Sequence, residues 1–304
     1  MNSKTNNSTL VTIGTFDGVH IGHQKILKKL CQRAIEKNLE SVVLTMFPHP
    51  RMVLNKDSDL KLLLTINERK NMLLGFGLAS IVVKPFTLSF ANLSPLDYVD
   101  TILVKELHAK HVIIGYDHRF GKNRSADIKD LRKFGTQFNF EVEEISAMEI
   151  EEVAVSSTKI RKALINGDIK TANTYLGYAY FLTGKVVEGQ GIGRTIDFPT
   201  ANIFIEEDYK LIPKNGVYVV RSTLDNQIIF GMMNIGTKPT VNGNKQSIEV
   251  HWFKVDTNLY GKTFKIEMLA RLRDEHKFES LEALKNQLEL DKKAAEVFID
   301  NNNE

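Results

Sequence analysis

Gly14-Thr15-Phe16-Asp17-Gly18-Val19-His20-Ile21-Gly22-His23 follows an apolar run at 10–13 and precedes a segment in which Ile26, Leu27, Leu30, Cys31 and Ala34 recur at helical spacing. The stretch reads as a strand, a glycine turn and a helix start. Such a turn suits a phosphate chain, because a helix N-terminus offers unpaired N–H groups and a positive dipole end. Gly14, Gly18 and Gly22 let a bulky anion approach the backbone. His20 and His23 stand three apart, so in a first helical turn both imidazoles lie on one face and can donate to one anion. Glycine turns between strand and helix are common, and a lone histidine is usually only a satisfied polar group. Two histidines, an aspartate and three glycines within ten residues at a strand mouth favour function.

The 304 residues suffice for one large domain or two ordinary ones. A hydrophobic share of 42% and a charged share of 25% are those of a soluble globular chain. Lysine and arginine number 40 against 37 aspartates and glutamates, a surplus too small for a dedicated nucleic-acid or membrane-surface binder. Cys31 is the single cysteine and excludes an internal disulfide; it reads as a small core residue in a reducing compartment. Residues 1–9 lack an apolar signal core, and no run approaches a membrane span, so a cytoplasmic location is expected.

Further along, a β-branched run at 41–47 stops at Pro48-His49-Pro50. A helix at 66–75, a strand at 80–83, a helix near 95–107, a strand at 111–114 and a strand at 140–145 continue the alternation. That rhythm predicts a parallel sheet with helices on both faces and ligands at the carboxyl ends of its strands. His49 falls at that edge, or merely decorates a rigid turn. So does the loop 115–124, where Asp117, Arg119 and Arg124 suit a nucleotide's hydroxyls and phosphates, unless they are only solvated surface charge. Asp127 reads as a helix cap. In Ser156-Ser157-Thr158-Lys159-Ile160-Arg161, hydroxyls cap a short helix while Lys159 and Arg161 bring positive charge to its start.

From Tyr180 onward, short β-rich segments at 181–187, 216–223, 227–233, 246–253 and 263–269 alternate with glycine, asparagine and aspartate turns. They predict an antiparallel barrel capped by a helix at 280–298 with Leu281, Leu284, Leu288, Ala295 and Phe298 inward, and a domain boundary between Gly177 and Gly184. Gly189, Gly191 and Gly193 form a glycine loop ahead of Arg194, which alone would be only a turn. Thr200 and Asn202 alternate on the extended segment that follows and can face Mg²⁺ and a triphosphate together. On 248–252, Ile248, Val250 and Trp252 share one face while Glu249 and His251 share the other. Glu249 is either a surface carboxylate or a base, and its apolar neighbours favour the base.

The phrase His20-Ile21-Gly22-His23 resembles the HxGH signature of nucleotidyltransferases. With Phe47-Pro48-His49-Pro50, the stretches 115–121, 156–161 and 198–202, Asn234-Ile235-Gly236, Pro239-Thr240, Glu249-Val250-His251, Leu259-Tyr260-Gly261 and Leu272-Arg273-Asp274-Glu275 with Lys277-Phe278, the chain resembles the bifunctional riboflavin kinase/FMN adenylyltransferase family. It departs mildly: Asp197 stands where the family usually has glycine, and His118 where it often has phenylalanine. The resemblance implies a Rossmann-like α/β adenylyltransferase domain at 1–178 and an antiparallel β-barrel kinase domain at 179–304. It implies two ATP-dependent steps, riboflavin to FMN and FMN to FAD. Glu249 would be the kinase base, with Thr200 and Asn202 at Mg²⁺, and His20, His23 and Arg161 would stabilise charge in adenylyl transfer. Gly14, Phe16, Asp17, Gly22, Asp117, Ser157, Thr158, Gly189, Gly191 and Arg194 would meet nucleotide, and Pro48, His49, Arg273 and Glu275 the flavin. Partners are then small molecules, with no nucleic acid and no membrane; a homo-oligomer is left open. Two other classes compete: a flavin-storage protein, which has no use for phosphate donors in two folds, and a single-activity cytidylyltransferase-like enzyme, which leaves Thr200, Asn202 and Glu249 without work.

Overall fold

Apolar runs separated by helical segments in the first half of the chain can bury both faces only as a covered parallel sheet. In a computed structural model, which describes residues 8–55, 59–116, 118–145, 155–189, 192–240 and 243–302, they do so. The backbone alone is described at 192, 194, 238–240 and 243–245. The chain divides into two compact units, Met1–Ser157 and Thr158–Glu304.

In the first unit β1 (Thr9–Ile13) is buried at every residue. It pairs in parallel with β2 (Glu40–Phe47) on one side and β4 (Ala109–Gly115) on the other. With β3 (Ser80–Pro85) and β5 (Glu141–Ile145) the order is β3-β2-β1-β4-β5. Strand order reverses between β1 and β4, so a crevice opens at the carboxyl end of β1, where the 14–23 stretch begins. The helix Ile21–Glu36 buries Leu27, Leu30 and Ala34, while Cys31 is half-buried with its Sγ 3.4 Å from the Phe76 carbonyl. Asp127 caps Ile128–Phe138 through a reciprocal capping box with Asp130. The helix expected near 95–107 is an α-helical turn, Pro95–Tyr98, that widens into a π-helix, Val99–Glu106, whose Val99, Ile102 and Leu103 enter the core.

The second unit opens with helical residues of Ser157–Asn166 and with Ile169–Leu176. Both bind to the barrel that follows: Asn173 Nδ2 donates to the Met268 carbonyl at 2.9 Å, and the Lys214 amide donates to the Leu164 carbonyl at 3.0 Å. The expected junction at 178/179 and the division at 157/158 thus differ by these two helices. β6 (Phe181–Val187), β7 (Ala201–Phe204), β8 (Gly216–Leu224), β9 (Gln227–Thr240), β10 (Gly243–Trp252) and β11 (Thr263–Arg273) close as β10-β7-β6-β11-β8-β9, every pair antiparallel. β8 and β9 join through Asp225 and Asn226, both at positive φ, the two-residue turn that matches strand twist. The terminal helix Leu281–Asn302 lays Leu284 and Leu288 against Ile196, Phe198, Val217 and Met232. Leu281, expected inward, is 56% exposed, because it stands at the helix start, ahead of that contact.

Candidate active sites

At the mouth of β1, the backbone of the 14–23 stretch is fixed from several sides. The Gly14 amide donates to the Leu44 carbonyl at 3.1 Å, and the Val19 amide to the Phe16 carbonyl at 3.1 Å. Phe16, Gly18 and Val19 all take positive φ, a cost for phenylalanine and valine that the surroundings must impose. Buried Asp17 supplies part of it: its two carboxylate oxygens accept the amides of Leu63 and Leu64 at 3.1 and 3.2 Å. Buried Arg69 supplies more, donating to the carbonyls of Thr15 and Met46. Asp17, expected at the nucleotide, therefore braces the loop that would hold one. A Cβ on Gly14 would come within 3.0 Å of the Phe16 ring, which fills the space beside it.

His20 is the N-cap of the helix Ile21–Glu36: its Nδ1 accepts the His23 amide at 3.4 Å. The two imidazoles stack with centroids 3.6 Å apart and 16° between planes, and Phe16 meets His23 edge-on at 5.1 Å. Burial pushes His20 down to about 4, with Asp17 pulling weakly the other way. Burial, then His20 and Arg69, hold His23 well below the ordinary histidine value. His23 keeps some exposed surface, yet its Nδ1 is sealed and has no hydrogen-bond partner among the described residues. Both rings are neutral at pH 7, and two neutral N–H donors at a helix start suit a phosphate chain. Ser157 joins this site by donating to the Asp17 carbonyl at 2.9 Å. Pro48 and His49 follow β2 at the same sheet edge, and His49 Nδ1 caps Pro50–Leu54 by accepting the Arg51 amide at 3.1 Å. Thr158 is exposed and Arg161 half-buried, both on the helix Ser157–Asn166 within the second unit. Asp117 and Gly191 lie outside the described residues, as does the side chain of Arg194.

The barrel has its own site. A cavity of roughly 330 Å³ lies between barrel and terminal helix, lined by Thr200, Asn202, Asn234, Glu249, His251, Arg273 and Glu275 among apolar neighbours. Register explains the grouping: Glu249 on β10 stands directly opposite Asn202 on β7 and Asn234 on β9. Thr200 Oγ1 donates to Glu249 Oε2 at 3.2 Å. Ile248, Val250 and Trp252 are buried on the opposite face, as alternation requires. His251 Nδ1 lies 2.8 Å from the Pro199 carbonyl, and burial lowers its pKa. Gly189 presses on Asn202; a Cβ there would sit 1.9 Å from Asn202 Nδ2. Glu275 accepts from Asn215 Nδ2 at 3.0 Å and from the Thr237 amide at 3.3 Å. Sequence reasoning gave no site role to Asn234, His251 or Phe278, although all three fall in phrases that carry the family resemblance; strand register brings the first two to the cavity.

The FAD synthetase family matches residues 2–159 and the riboflavin kinase family residues 176–299. A bifunctional riboflavin kinase/FMN adenylyltransferase of Listeria monocytogenes is 38% identical over 97% of this chain and 94% of its own. This chain belongs to that family. The relative of the same description from Bacillus subtilis is 36% identical over 96% of this chain and 93% of its own, and that from Escherichia coli K12 is 34% identical over 95% and 92%. A crystal structure described as a macrolide-efflux protein from Streptococcus pneumoniae superimposes with a TM-score of 0.87 at 32% identity, covering 96% of this chain and 95% of that one. Among the described residues no helix is long and apolar enough to cross a membrane. The first of these family ranges spans the parallel sheet and the second spans the barrel.

Proposed function

We propose that this chain makes FAD in two ATP-dependent steps, phosphorylating riboflavin in the barrel and adenylylating FMN at the parallel sheet. The observation that carries the kinase half is Glu249 set opposite Asn202, with Thr200 Oγ1 3.2 Å away, at a cavity of roughly 330 Å³. Glu249 takes the proton from the ribityl 5′-hydroxyl as that oxygen bonds to the γ-phosphorus of ATP and ADP leaves. Thr200 and Asn202 offer neutral oxygens beside one carboxylate, a donor set that suits Mg²⁺ when the ion takes its remaining ligands from nucleotide phosphates. Mg²⁺ bound there supplies charge neutralisation on the transferring phosphoryl group. Arg273 and Glu275 line the flavin part of the cavity, and the family resemblance gives nucleotide contacts to Gly189, Gly191 and Arg194.

At the sheet edge, an FMN phosphate oxygen bonds to the α-phosphorus of ATP and pyrophosphate leaves. That nucleophile is already anionic, so the site needs donors rather than a base. His20 and His23 stabilise the developing charge, a part that the family resemblance also gives to Arg161. Gly14, Phe16, Gly22 and Ser157 shape the nucleotide pocket, which Asp17 braces, and the family resemblance adds Asp117 and Thr158, while Pro48 and His49 flank FMN. The single cysteine and the nature of the substrates suit a cytoplasmic enzyme. Incubation with riboflavin, ATP and Mg²⁺, followed by chromatography of the flavins, tests the proposal: FMN and then FAD are expected. Riboflavin left untouched, with FAD still formed from added FMN, would reduce the assignment to the adenylyltransferase half.

A further inference from the structure

Arg273, the last residue of β11, lines the barrel cavity. Each of its three nitrogens donates to a group outside the cavity. Nε donates to Asp291 Oδ1 and Oδ2 at 2.8 and 3.1 Å, Nη2 donates to Asp291 Oδ2 at 2.6 Å, and Nη1 donates to the Asp274 carbonyl at 2.9 Å. The guanidinium carbon also lies 5.7 Å from the centre of the Phe278 ring. Asp291 sits midway along Leu281–Asn302, is 3% exposed, and does not itself line the cavity. Gln287, one turn earlier, donates to Asp291 Oδ1 at 2.9 Å.

A carboxylate buried this deeply is a poor device for docking a helix, because well-packed apolar residues dock one as firmly without the desolvation cost. What it does accomplish is done to Arg273. It fixes the guanidinium plane and cancels its charge. An arginine meant to grip a phosphate gains from keeping its charge, whereas one neutralised by a buried carboxylate suits an uncharged planar ligand, met by stacking and by the N–H groups left over. We infer that Asp291 is a positioning residue for the flavin substrate: from the terminal helix it holds Arg273 as a rigid wall for the neutral isoalloxazine ring. The inference rests on the kinase reading of this cavity.

The test uses the full-length chain carrying Asp291→Asn, which keeps side-chain volume and removes the charge. The KM for riboflavin should rise about tenfold, the KM for ATP should stay within about twofold, and kcat should fall less than the riboflavin KM rises, since a charged hydrogen-bonded pair of this kind is worth about that factor or more. Arg273→Lys should reproduce the pattern, and the double variant should be no worse than the poorer single one, because the pair acts as a unit. Thermal melts by circular dichroism confirm folding; if Asp291→Asn does not fold, Gln287→Ala loosens the same carboxylate and should raise the riboflavin KM in the same selective way. A folded Asp291→Asn protein with the parental riboflavin KM, or additive losses in the double variant, would overturn the inference. Failure of the parent itself to phosphorylate riboflavin would instead remove the kinase reading beneath it.

Discussion

His20 has two uses for one ring. Its Nδ1 accepts the His23 amide, which leaves the proton on Nε2 and makes that nitrogen the donor for a ligand. Because burial holds it near 4, a histidine that is protonated below about 6.5 in the unfolded chain stays neutral in the folded one. Stability contributed in this way is intact above 6.5 and is lost as pH falls from there toward about 4, by roughly 3 kcal/mol for His20 alone. His23, shifted in the same direction, adds to the loss. His20→Asn retains a good N-cap and removes the titration, so urea midpoints at pH 7.5 and 4.5 should lie closer together in this variant than in the parent. Parallel declines in the two proteins would refute the linkage. A second expectation concerns chemistry: His23→Ala should lower adenylylation about a hundredfold while phosphorylation persists, so that FMN accumulates. Unchanged FAD formation from supplied FMN would deny His23 its role.

Between elements, the kinase site is a matter of how closely a loop lies on a strand. With a Cβ at position 189 the Asn202 amide would be struck at 1.9 Å, and Asn202 shares its register line with Glu249. Gly189→Ala should therefore cut riboflavin phosphorylation by about two orders of magnitude and leave adenylylation of added FMN untouched; equal losses in both assays would mean a general folding defect instead. This juxtaposition was only partly legible beforehand. Alternation placed Glu249 and His251 on one face, and the strand-turn-helix reading placed His20 and His23 on a helix start. β7, only four residues long, carried too little pattern to be read as a barrel strand, so its pairing with both β6 and β10 was hidden. Long-range partners such as Asp17 with Leu63 and Leu64, or Arg273 with Asp291, leave no local trace. The π-helical turn at Val99–Glu106 was invisible for the same reason, since its apolar spacing passes for an ordinary helix.

For the whole molecule, the place of the cut between barrel and sheet is itself a prediction. The helices ahead of β6 bond to the barrel through Asn173 and Leu164, so a fragment of residues 158–304 should melt several degrees above one of residues 179–304 and phosphorylate riboflavin without making FAD. Equal melting temperatures would show that these helices add nothing to the barrel. The two sites also differ in when the chain can complete them during synthesis. All five strands of the parallel sheet have emerged by Ile145, whereas the barrel site needs β10 and a helix that runs to Asn302. A nascent chain thus owns its adenylylating sheet long before it can phosphorylate anything. On the proposed assignment, premature termination or proteolytic trimming ahead of β10 would leave a protein that consumes FMN and cannot replenish it, so damage to the tail of this chain would turn a self-sufficient enzyme into one dependent on its intact siblings.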